Sequence, residues 1–189
     1  MRNLPVAKNE DNMLPFLFLA SKDDELFHSL LFGRRKEPEE GKSYLIKEKK
    51  PDGAMTRFID LAEKGHAGLV ITRQHPNHIM RKYNLNDVRV IWLSTTLGKD
   101  YVDPHNLNSL TGMANIFLQE NNHSAILLDG LEYLMVHNDF DRVLKFIEYL
   151  NELVMQRQAV LLISVDDRAF ESRELALLER NATVLEITS

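Results

Sequence analysis

The stretch that decides the fold is SAILLDGLEYLM, Ser124 to Met135. Four apolar residues in a row, Ala125 to Leu128, end on Asp129, and Glu132 follows three positions later. An apolar run that does not alternate is expected of a strand covered on both faces. An acid at the tip of such a strand is also where P-loop nucleotide hydrolases hold Mg²⁺. The run therefore predicts an inner strand of an α/β sheet and raises a question of chemistry. Asp129 either sits on a metal-bound water with Glu132 near an attacking water, or it receives backbone amides of the turn at Gly130.

Working outward, five further runs share the apolar, β-branched character: SYLIKE, GLVITR, VRVIWLS, AVLLISVD and TVLEI. The intervals between them are long enough for crossovers. DGAMTRFIDLAEKG reads as a helix with Asp52 as cap and Gly65 as stop, and HPNHIMRKY as a helix with Pro76 at its first position. Asp103 and Pro104 open a third, with Leu107, Leu110, Ala114 and Phe117 on one face. Asn138 caps a longer one, with Phe140, Val143, Leu144, Ile147, Leu150 and Val154 at helical spacing. Strands alternating with helices predict a three-layer α/β/α domain with a mainly parallel sheet over residues 41–189. Residues 1–40 read as an N-terminal arm. It holds a short amphipathic helix in SKDDELFHSLLFGRR, carrying Phe27 and Leu30, and a charged linker, GRRKEPEEGK.

Composition narrows the function classes. The chain has 189 residues, 44% hydrophobic, which suits one packed domain, and a net charge of −5, which offers no general basic surface for nucleic acid. Without cysteine there are no disulfides, thiolate metal sites or thiol nucleophiles. No apolar run approaches the roughly 18 residues that span a bilayer. The expectation is a cytoplasmic protein that binds neither nucleic acid nor membrane.

The phosphate loop is the decisive check, because it must leave a strand and open a helix so that loop amides meet the phosphates. GKS does occur, at Gly41 to Ser43, but Lys36 stands where the pattern needs its first glycine, and the segment precedes the first strand. After SYLIKE the chain reads KKPDGAMTR, with one glycine, Gly53, and with Asp52 where its charge repels phosphate. In a parallel sheet ligands gather at the carboxyl ends of the strands, which here carry Glu48, Arg73, Ser94, Asp129 and Asp166. Arg73 is placed to pair with Asp129 or to receive an anion, the ion pair being favoured. His75 and His78 lack a third metal ligand, and Trp92, inside a strand, reads as core.

The runs GKSYLIKE, AGLVITRQHP, IWLS, ILLDGLEYLMVHNDFDRVLKFIEYL, LLISVD and RELALLER together resemble the archaeal family catalogued as domain of unknown function 835, over about residues 41–186. The most specific piece is LLDGLEYLMVHNDF. The resemblance implies a signalling or regulatory role, since domains of that family occur alone or joined to sensory and membrane modules. It also implies a fold similar to the RecA and KaiC ATPase core, lacking a working P-loop.

Together these readings predict a non-catalytic regulatory module acting through protein contacts, with no cofactor. The alternatives are a Mg²⁺-dependent binder or hydrolase of ATP or GTP, with Asp129 and Glu132 at its site, and a sensor of a small anionic ligand. Ligand-binding candidates are Arg73, Asp129, Glu132 and Asp166. Phe146, Tyr149 and Leu153 form a second apolar set on the long helix. With Phe27 and Leu30 they are the interface candidates, for an unidentified protein partner or a homodimer.

Overall fold

A computed structural model describes residues 37–186. The expected helix of residues 21–35, with Phe27 and Leu30, lies outside them. The strands are β1 (Lys42–Lys47), β2 (Ala67–Thr72), β3 (Val88–Leu93), β4 (Tyr101–Val102), β5 (Ser124–Asp129), β6 (Val160–Val165) and β7 (Thr183–Val184). They form one sheet in the order β4-β3-β2-β5-β6-β1-β7, with every pairing parallel. In the four strands at the centre of the sheet, β2, β5, β6 and β1, the central residues are fully buried. All six expected strands are present. β4, only two residues long, is too short to carry a periodic signal.

Six helices cover the sheet among the described residues. On one face lie α1 (Asp52–Glu63) and α2 (Pro76–Tyr83), burying Met55, Phe58 and Ile79 against Tyr44, Val70 and Leu127. On the other lie α3 (Leu107–Glu120), α4 (Leu131–His137), α5 (Phe140–Arg157) and α6 (Ser172–Asn181), over Leu45, Ile71, Ile126 and Ile163. The architecture is the expected three-layer α/β/α. Gly68 on β2 is fixed by the approach of α1, since a Cβ there would come within 2.8 Å of the Phe58 ring.

Three local expectations need correction. Asn138 does not cap the long helix. Its Nδ2 donates to the carbonyls of Pro104 and Leu134, and Asp139 holds the N-cap position of α5. α3 does not open at Asp103 and Pro104: it starts at Leu107, capped by Asn106, whose Oδ1 accepts the Ser109 N–H. Phe146 and Leu153 do not form an outward strip: they are 4% and 7% exposed, in the core, because α5 packs against both α3 and α6 and so buries a wider arc than one neighbour requires. Tyr149, at 44%, alone of the three faces solvent. Trp92 is half-buried, between the rings of His75 and Tyr101, each 4.9 Å away.

Candidate functional site at the strand ends

Register sets the site. Thr72, Asp129 and Ser164 pair side by side across β2, β5 and β6, so their side chains end at one level of the sheet. Successive connections leave that edge toward opposite faces. β1 leads into α1 and β2 into α2 on one face; β5 leads into α4 and β6 toward α6 on the other. Neighbouring strands whose chains part in this way open a crevice where α/β proteins hold ligands. Here there are two, β1/β6 and β2/β5.

The chain's own side chains bridge both crevices. At β1/β6, Glu48 accepts from the backbone N–H of Gly53 (2.8 Å) and Ala54 (3.1 Å) at the start of α1, and from the Ser164 hydroxyl (2.8 Å). The carboxylate thus occupies the amides of a strand-to-helix turn, the position where a P-loop cradles phosphate. Burial pushes its carboxyl above the ordinary value, opposed by those three bonds. Asp52, expected to cap α1, is turned away to Lys82 (2.7 Å) and Tyr83 (2.5 Å), and the Lys82 ammonium holds its carboxyl below the usual range.

At β2/β5, Asp129 Oδ2 accepts from the Thr72 hydroxyl (2.7 Å) and the Gln74 amide (3.0 Å). These are side-chain donors, not the backbone amides of a turn, and the ion pair expected with Arg73 does not form. The chain bends at Arg73 and Gln74 just after β2, where the Gln74 N–H donates to the Thr72 hydroxyl (3.0 Å), and this brings the Gln74 side chain back to Asp129. The Arg73 guanidinium lies 5.5 Å from the centre of the Tyr133 ring on α4. Gly130 (φ 131°) makes the turn into α4, and a Cβ there would press within 3.3 Å of Leu93.

Glu132 and Asp166 meet at the end of β6. Glu132 accepts the backbone N–H of Asp166 (2.6 Å), and burial raises its carboxyl, helped by the charges of Asp129 and Asp166. Asp166 pairs with Arg168, which holds its carboxyl down at about 2. The structure therefore gathers Asp129, Glu132 and Asp166 along one edge and turns Arg73 toward Tyr133. It also shows two residues that the sequence reading passed over. Gln74 carries no motif, and Glu48 was only one strand-end acid among several until α1 was placed over it.

Among the described residues, no group of three or more His, Asp or Glu side chains is placed to ligate one metal ion together. His75 accepts the Asn77 N–H at the start of α2 and, with Asn77, His78, Arg81 and Lys82, lines a shallow groove. None of the described helices is long and apolar enough to cross a membrane.

The sequence model of the family described as "Protein of unknown function (DUF835)" matches residues 47–181. No curated protein matches the chain. Similar solved structures include the flagellar accessory protein FlaH of Methanocaldococcus jannaschii, at 12% identity and a TM-score of 0.60, covering 89% of this chain and 80% of that one. They also include a KaiC-like protein, PH0186, of Pyrococcus horikoshii, at 14% and 0.56, covering 79% and 74%. A second Pyrococcus horikoshii protein, the structural-study target PH0250, matches at 15% and 0.56, covering 82% and 85%. At such identities the likeness concerns the fold, which is α/β of the RecA and KaiC kind.

Proposed function

The chain belongs to the DUF835 family of proteins of unknown function, and we propose that it is a non-catalytic regulatory module, a RecA-like scaffold whose nucleotide site has been closed by its own side chains and which acts through contacts with other proteins. The observation that carries this reading is Glu48. Its carboxylate takes the two α1 amides and the Ser164 hydroxyl that a phosphate group needs. A nucleotide entering there meets a negative charge already seated, and Asp52 directly precedes Gly53 in the chain. The second crevice supports the same reading, because Asp129, the candidate Mg²⁺ acid, already receives hydrogen bonds from Thr72 at the end of β2 and from Gln74 two residues beyond.

Equilibrium binding of labelled ATP and GTP, with and without Mg²⁺, tests the proposal. The expected outcome is no metal-dependent binding and no turnover. Tight Mg²⁺-dependent binding that disappears in Asp129→Ala would overturn it and establish a nucleotide-binding protein with an unusual loop.

A further inference from the structure

At the β3/β4 side of the strand-end edge lies a side-chain cluster that the closed crevices do not involve. β4 runs into Asp103, Pro104 and His105, and α4 ends at His137. Asn138 fastens these segments together by donating to the carbonyls of Pro104 (2.8 Å) and Leu134 (2.9 Å). His137 Nδ1 thereby comes 3.4 Å from His105 Nε2, with the ring centroids 4.6 Å apart and the planes at 69°. On its other side His105 Nδ1 lies 2.8 Å from Asp103 Oδ1. An ionised carboxylate only accepts, so Nδ1 carries the hydrogen and Nε2 presents a lone pair toward His137. The Tyr133 ring stands edge-on to His137, with the ring centroids 4.6 Å apart.

Two features point to a metal. A separation of 3.4 Å is long for a hydrogen bond between two ring nitrogens. Two ligands each about 2.0–2.1 Å from a tetrahedral Zn²⁺ lie about 3.3–3.4 Å apart, so the same spacing fits a shared cation. The arrangement carboxylate–histidine–metal, with the carboxylate fixing the tautomer and orienting the ring, is the one metal-binding histidines commonly adopt.

We propose that His105 Nε2 and His137 Nδ1 form a two-histidine chelate for Zn²⁺ or a neighbouring divalent transition metal, oriented by Asp103. Binding displaces the hydrogen between the two nitrogens, so that both lone pairs face the shared ion. Two coordination positions remain open to water or to a donor group from a bound partner. The site lies beside the solvent-facing ends of β4 and α4, where a partner's side chain has access. This proposal does not depend on the crevices being closed to nucleotide.

Titration of the full chain with Zn²⁺, followed by calorimetry, and with Co²⁺, followed by its visible absorption, tests the proposal. One site is expected in the parent, lost in His105→Ala and in His137→Ala, and kept in His78→Ala, whose imidazole lies in the groove along α2. Asp103→Asn should weaken binding by about 10–100-fold while leaving the site in place. Circular dichroism establishes that each variant is folded, and His105→Ala, at the more exposed position, decides the matter should His137→Ala unfold. A parent that binds neither metal at millimolar concentration overturns the proposal, and so does a His105→Ala chain that binds as tightly as the parent.

Discussion

Replacing Glu48 by alanine separates a carboxylate that merely ends a strand from one that fills an anion site. The substitution removes the acceptor for three donors, the N–H groups of Gly53 and Ala54 and the hydroxyl of the buried Ser164. Hydrogen bonds to a charged group contribute about 1.5–3 kcal/mol each when well buried. Glu48 is half-buried, and desolvation, which raises its carboxyl, opposes the bonds. After discounting for solvent screening, the three together should stabilise the fold by about 2–3 kcal/mol. For a chain of this size that lowers the melting temperature by about 4–12 °C. The freed amides at the positive end of α1 then form an empty anion site. Sulfate or phosphate should therefore raise the melting temperature of Glu48→Ala more than that of the parent, saturably, by about 1.4 kcal/mol of stability at ten times the dissociation constant. The parent supplies the baseline for the general stabilising effect of these salts. Thermal unfolding of both chains across a sulfate series is the assay. A variant as stable as the parent, or one with an identical sulfate response, refutes the assignment of Glu48 as the occupant of the phosphate position.

Asp129→Asn keeps an oxygen for Thr72 and Gln74 but loses its charge, and should cost on the order of 1–3 kcal/mol in urea unfolding; an unchanged midpoint would show the pairing contributes nothing. Phe146→Ala should destabilise by about 3–5 kcal/mol and leave the sedimentation coefficient unchanged, since the ring fills the core; a change of oligomeric state at full stability would return it to the surface. Arg168→Ala should let the Asp166 carboxyl rise from about 2 toward the ordinary range, followed by NMR titration. Because the folded value lies below the unfolded one, the stabilisation from this pair is present above the ordinary aspartate range and lost as pH falls toward 2. The variant should therefore begin its acid unfolding at higher pH, and coincident acid limbs would refute this. A chain of residues 41–189 contains the seven described strands and should fold, with far-ultraviolet circular dichroism as the check; a failure to fold would move the domain boundary toward the N-terminus.

The sequence by itself determined the layers and the strands. The runs at Tyr44–Ile46, Leu69–Ile71, Ala125–Leu128 and Leu161–Ile163 are apolar without alternation, and only a sheet covered on both faces buries such runs completely. The acid at the tip of β5 and the departure of the residues after β1 from the phosphate-loop pattern were legible too, because the order of residue types is a property of the chain alone. What lies beside what was decided only by tertiary structure. The spacing of Phe146 and Leu153 records an apolar arc but not its neighbours, and packing by both α3 and α6 turned an apparent interface into core. Arg73 and Gln74 are adjacent in sequence, yet the bend that follows β2 sends one to Tyr133 and the other to Asp129. Glu48 reaches Ser164, 116 residues away, only because β1 pairs with β6, and His105 meets His137 only because Asn138 ties α4 to the loop after β4. Periodicity and composition act over a few residues and so survive in the sequence, whereas side-chain contacts between distant segments depend on strand order and helix placement, which the free energy of the whole packed chain selects.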